Sequence, residues 1–134
     1  MVGLDTNVVL RLLLGDDPAQ QRAALSYVEK ACSAEDPGWI SAIVTTEIVW
    51  VLDRAYNLSR DDIADAIDRL LAVNEFQLED HEEVRRALAA FRGGSDFTDA
   101  LLDERNRAAG CQTTVTFDRD AARKLIGFTD LAVV

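Results

Sequence analysis

The sequence is poor in the residues that most often build compact catalytic or metal sites. It holds one histidine, His81, among 134 residues, so zinc centres and Ser-His-Asp triads lack the imidazoles they need. His81 itself is expected in the first turn of an exposed helix. The two cysteines, Cys32 and Cys111, lie far apart and match no metal or redox spacing, so a reducing cytoplasm with free thiols is the expected setting. With only two prolines and 49% hydrophobic residues, the composition is that of a globular chain, not a disordered one. Long apolar runs are missing too: Arg11, Glu47 and Asp53 interrupt the longest, and a bilayer span needs about 20 residues. No charged segment precedes an apolar one at the start, so neither a membrane span nor a signal peptide is expected. Basic residues are scarce, 14 against 24 acids for a net charge of −10. Nucleic-acid binders usually carry a basic footprint, whereas an acidic surface suits a basic protein partner. Either the acids gather to hold cations, or the chain does not touch nucleic acid.

What is present is an alternation of short strands and helices. Met1 to Leu4 reads as a buried parallel strand followed at once by a helix that Thr6 or Asn7 can cap. Asp17-Pro18-Ala19-Gln20 opens a helix running to about Ala34. Trp39-Ile40 is a short strand, and Ser41 caps a helix through about Tyr56. Ser59 opens another, with Ile63, Ala66, Ile67, Leu70 and Leu71 at helical spacing. Glu75 to Leu78 alternates like a strand, and a helix from Asp80 stops at Gly93-Gly94. Asp96 or Thr98 starts a helix ending at Gly110. Gln112 to Thr116 is a β-branched strand, Asp120 to Leu125 a short helix, and Phe128 to Val134 a last strand. Strands separated by single helices or helix pairs predict one α/β domain over residues 1–134, with a parallel sheet covered on both faces.

Several acids fall where such a fold binds ligands. Asp5 stands at the carboxyl end of the first strand, the end at which open α/β sheets bind ligands, although an Asp there can also simply cap the next helix. Glu47 falls between Ile43, Val44, Trp50 and Val51 at 100° per residue, mid-way across an apolar arc. A bare carboxylate buried there is costly unless it is paired, with Arg54 or Arg11 for instance, or holds a ligand. Asp96, Asp99 and Asp103 share one helix face. Asp96 suits an N-cap, but Asp99, one turn in, has no such role. Asp118 and Asp120 follow the Thr116 strand, and capping of the short helix explains one of them. Two carboxylates 4 Å apart repel by about 4 kcal/mol at an effective dielectric of 20. Converging acids therefore either keep protons or take up a divalent cation. Oxygen ligands without His or Cys select Mg²⁺ or Mn²⁺, a chemistry suited to phosphodiester hydrolysis.

Leu4-Asp5-Thr6-Asn7-Val8, Glu47 within a helix, Asp96-Phe97-Thr98-Asp99-Ala100-Leu101 and Thr114-Val115-Thr116-Phe117-Asp118 resemble the ordered acidic motifs of PIN domains, and the opening resembles the VapC toxins of bacterial toxin–antitoxin pairs. The resemblance covers the whole chain. It implies an α/β/α sandwich around a central, mostly parallel sheet of four or five strands, and a cytoplasmic Mg²⁺-dependent endoribonuclease, with Mn²⁺ able to substitute, usually homodimeric. Carried over, Asp5, Glu47, Asp99 and Asp118 are the catalytic, metal-binding acids, with Asp96 and Asp120 as auxiliaries and Thr6, Asn7 and Thr116 as supporting polar groups. A cognate antitoxin with a basic segment is implied, which fits the negative charge. Arg11 and Arg119 are candidates for holding RNA backbone. Two other readings compete. An Asp-nucleophile phosphatase would also put Asp5 after a first strand, but it usually needs a second acid where this chain has Asn7. A non-catalytic PIN-like module would bind protein through Trp39, Trp50 and Leu12 to Leu14. Asp16, outside every motif, is expected to tolerate Asp16→Asn with little change.

Overall fold

In the computed structural model, which describes residues 1–133, three of the first four helices begin at side chains that take up free backbone N–H groups. Asp17 accepts from the Gln20 N–H at 3.1 Å and caps α2 (Pro18–Ala31). Ser41 accepts from Val44 at 3.2 Å and caps α3 (Ala42–Arg54). Ser59 accepts from Asp62 at 3.1 Å and caps α4 (Arg60–Ala72). Each bond satisfies one of the four donors that a helix start leaves unpaired. α1 (Thr6–Leu13) starts without one, since Asp5 holds the cap position with extended backbone but makes no capping bond. Thr6, expected as a possible cap, lies inside the helix.

The chain forms two compact units, Met1–His81 and Glu82–Val134. In the first, β1 (Val2–Gly3), β2 (Gly38–Ile40) and β3 (Phe76–Leu78) make a parallel sheet in that order. Its core is apolar and fully enclosed: Val9, Ile40, Ile48, Leu52, Ile63 and Ile67 have almost no exposed surface. Gly38 sits where a Cβ would come within 3.0 Å of both Cys32 Sγ and Leu4 Cδ1; a larger residue would push the end of α2 off the sheet.

The second unit contains most of α5 (His81–Arg92), whose first residue closes the first unit, then α6 (Phe97–Ala108), β4 (Thr114–Thr116), α7 (Arg119–Lys124) and β5 (Phe128–Asp130), with a 3₁₀ turn at Leu131–Val133. Phe91 and Phe97 meet edge to face, ring centroids 6.2 Å apart, beside buried Val84, Leu88 and Leu101. β4 and β5 pair in parallel as a separate two-stranded sheet.

The α/β class and the parallel pairing are as expected, but the sheet is not one of four or five strands. The strands are two or three residues long, so each has few ladder bonds to offer, and β1 bonds only to β2 while β4 bonds only to β5. The last strand ends at Asp130; the remainder of its expected span turns into the 3₁₀ segment, and Val134 lies outside the described residues. Among the described residues no helix is long and apolar enough to cross a membrane.

Asp16 makes a contact through each of its carboxylate oxygens. One of its oxygens accepts from the Arg11 guanidinium at 2.5 Å and the other from the Tyr56 hydroxyl at 2.5 Å, joining the turn after α1 to the end of α3. The Tyr56 hydrogen bond and then the Arg11 bond hold its carboxyl below the ordinary Asp value. A carboxyl whose folded pKa is depressed adds stability above its unfolded pKa, and that stability is lost as pH falls through the folded one. Asp16→Asn should therefore lower the Tm at neutral pH by a small amount, on the order of 2 °C for so exposed a cluster. The gap to wild type should close as the pH drops below the ordinary carboxylate range; thermal unfolding across that range measures both.

Candidate active site

In the first unit the expected residues are brought together in part. Asp5 is exposed. Its carboxylate is also not used as a cap, which leaves it available to a ligand. The next side chain turns inward: Thr6 is 6% exposed, and its hydroxyl donates to Glu47 Oε2 at 2.9 Å. One hydrogen bond thus ties the end of β1 to the middle of α3 across 41 residues. Asn7 is exposed and lines a cavity of about 390 Å³ against α2, with Val8, Arg11 and Tyr27 on its wall.

Glu47 does lie on an apolar arc, but on the outer one. α3 buries Ala42, Thr45, Ile48, Val49 and Leu52, while Ile43 and Trp50 are 70% and 60% exposed. The helix is apolar on both sides, and the Glu47 side faces solvent. Neither arginine proposed as its partner takes it. Arg54 pairs with Asp53 at 3.8 Å and lies over the Trp50 ring, and Arg11 pairs with Asp16 at 2.5 Å.

The second unit assembles a different group of acids. Asp96 caps α6, its Oδ2 accepting from the Asp99 N–H at 3.0 Å. Asp99 is half-buried, and its carboxyl is pushed above the ordinary Asp value. Burial is the largest cause, followed by the negative charges of Asp96 and Asp118. Asp118 stands at the end of β4 and caps α7, its Oδ1 accepting from Asp120 N at 3.0 Å and Ala121 N at 3.1 Å. Its own N–H donates to Thr116 Oγ1 at 3.0 Å. Asp120 differs from these acids. Lys124 lies 3.2 Å from it and Arg123 touches it; the Lys124 hydrogen bond chiefly, with help from Arg123, holds its carboxyl below the usual value. Asp120 thus has its counter-charges already, and no electrostatic need for a cation. Arg119 is exposed.

Asp103, on the same helix face as Asp96 and Asp99, is enclosed although a stripe of charges is more often solvated. It is 2% exposed, lies 3.3 Å from Arg107 Nε, and packs so closely on Gly127 that a Cβ there would fall 1.8 Å from its Oδ1. The i, i+4 spacing to Arg107 was the available signal for a pair.

Asp99 forms no ion pair with a lysine, arginine or histidine among the described residues, although two carboxylates lie within electrostatic range. Such an oxygen-only, uncompensated set fits a hard divalent cation. Among the described residues no three His, Cys, Asp or Glu side chains are grouped to hold a metal ion by themselves.

Set beside known proteins, residues 2–125 match the family described as the PIN domain. A VapC ribonuclease of Aquifex aeolicus (strain VF5) is 25% identical over 118 residues, spanning 87% of this chain and 86% of that protein.

Proposed function

The chain belongs to the PIN domain family, and from that premise we propose that it is a divalent-metal-dependent endoribonuclease, the toxin of a toxin–antitoxin pair. The observation that carries the reading is Asp99: a half-buried carboxyl whose negative neighbours are Asp96 and Asp118 and which no cationic side chain among the described residues offsets. In this reading Asp5, Glu47, Asp99 and Asp118 are the acids required for cleavage, residues 1–134 act as one domain, and Mg²⁺, replaceable by Mn²⁺, is the cofactor. When bound, the cation would lower the pKa of an attacking water and offset charge on the phosphodiester.

The residues themselves prepare that chemistry. Thr6, buried and donating to Oε2, orients the Glu47 carboxylate. The two backbone N–H groups on Asp118 Oδ1 fix that carboxylate and leave its second oxygen for a ligand. Asp99 keeps its proton more readily than an ordinary Asp and releases it when a positive charge arrives. Asp96 fits an auxiliary role through its charge on Asp99, Asn7 a supporting one, and Arg119 the holding of RNA backbone. The net charge of −10 supports a basic antitoxin as partner, and a homodimer and a cytoplasmic setting complete the proposal; the free thiols of Cys32 and Cys111 accord with the latter.

The test is digestion of total RNA by the purified chain with Mg²⁺, with Mn²⁺ and with EDTA, alongside Asp5→Asn. Asp5 is exposed and makes no capping bond, so the substitution should leave the Tm within about 1 °C and remove cleavage. Undiminished cleavage by a folded Asp5→Asn protein would refute the assignment.

A further inference from the structure

Three of the five phenylalanines are buried, Phe91, Phe97 and Phe128, and Phe76 is half-buried. Phe117 is 76% exposed, the most exposed aromatic among the described residues. Lone exposed apolar residues are common, so exposure alone says little; the surroundings of this ring say more. It sits between Thr116 and Asp118, and the backbone on either side is tied down. The Asp118 N–H bonds the Thr116 hydroxyl, and the Asp118 carboxylate bonds two N–H groups of α7. The ring is therefore presented from a fixed stretch of chain, so little backbone freedom is lost when something settles on it. Val115, two residues earlier in β4, is also exposed, at 58%. On the other side comes Asp118, one of the acids acting on Asp99, and then exposed Arg119, which forms no ion pair among the described residues and is suited to a phosphate.

We propose that Phe117 is a stacking platform that holds one unpaired nucleobase of the RNA. The proposal rests on the ribonuclease reading and names a residue that positions the substrate. Every base has a π-face and stacks on an aromatic ring with little regard to sequence. A base inside a duplex has both faces covered by its neighbours and cannot offer one, whereas loops and single strands can. A flat ring beside a cation-binding acid and a free guanidinium would hold base and phosphate of one nucleotide together.

Phe117→Ala and Phe117→Trp test this. Binding of a short fluorescein-labelled, mixed-sequence oligoribonucleotide is measured by anisotropy in EDTA, and cleavage of the same strand, alone and in a blunt duplex, is measured with Mg²⁺. Phe117→Ala should weaken single-strand binding and raise KM about tenfold, the scale of one lost stacking contact, with the Tm unchanged. Phe117→Trp should bind as the wild type does, and its added indole emission should be quenched by the single strand but not by the duplex. Should the alanine protein fold poorly, the quenching decides alone. Equal binding by wild type and Phe117→Ala, or equal cleavage of strand and duplex, would overturn stacking and leave the ribonuclease reading intact. So would a change in Phe117→Ala confined to its mass in light scattering, which would mean that a second copy covers the ring. A wild type that cuts no RNA under any metal would overturn both.

Discussion

Asp99→Asn should reduce RNA cleavage by roughly a hundredfold or more and leave the fold at least as stable as the wild type. The loss is scaled from groups that merely orient a metal's ligands, whose removal already costs about 10- to 100-fold. The stability follows from the sign of the Asp99 shift. Burial, then Asp96 and Asp118, raise its carboxyl above the ordinary value of 3.8. The folded protein thus holds this proton more tightly than the unfolded chain does. As pH rises from the unfolded pKa to the folded one, the unfolded chain ionises first and stability falls; above the folded pKa that loss is complete. An asparagine keeps the shape and cannot ionise, so the mutant's Tm should exceed the wild type's increasingly between about pH 3 and pH 7 in metal-free buffer. Asp96→Asn retains an N-cap residue and should recover part of the same gain. An Asp99→Asn protein less stable than wild type at neutral pH would show that the Asp99 charge is compensated after all.

What the sequence made legible is mostly what neighbours in the chain decide. The caps at Asp17, Ser41, Ser59 and Asp96 act on N–H groups three residues on, so local composition suffices to place them. The motif acids stand at the element ends expected of them: Asp5 after β1, Asp118 after β4, Asp99 in the first turn of α6. Less local facts escaped. Which way the Glu47 arc faces depends on what α3 packs against, and periodicity cannot choose between Ile48-Val49-Leu52 and Ile43-Trp50 when both sides are apolar. Asp16 meets Tyr56 across 40 residues, and Asp103 is enclosed because Gly127, far along the chain, has no Cβ; neither pairing leaves a periodic trace. Strand number was readable and strand pairing was not, since segments of two or three residues carry too little pattern to fix their partners. Of the proposed site, the positions of the acids along the chain were legible in the sequence. Its supporting contacts, the Thr6–Glu47 bond above all, were not.

Chelation should abolish cleavage, and Mg²⁺ or Mn²⁺ should restore it where monovalent salt does not. The reason is again electrostatic. A divalent cation at Asp99 offsets the repulsion from Asp96 and Asp118 that the described cationic side chains leave standing, so binding favours the folded protein over the unfolded one. At a cation concentration 100 times its dissociation constant this linkage is worth about 2.7 kcal/mol, a Tm rise of roughly 5 °C for a chain of this size. Free cation must compete with the proton that Asp99 holds, so the rise should grow with pH up to neutrality and be largely absent in Asp99→Asn. Because Mg²⁺ retains waters and takes few protein oxygens, and no three described acids form a closed set, affinity without RNA should be low and should increase when an uncleavable RNA supplies phosphate oxygens. A Tm response of the same size in wild type and Asp99→Asn would mean that the cation binds elsewhere on the acidic surface. Cleavage that survives EDTA would remove the metal from the mechanism, and with it the reason these acids stand uncompensated.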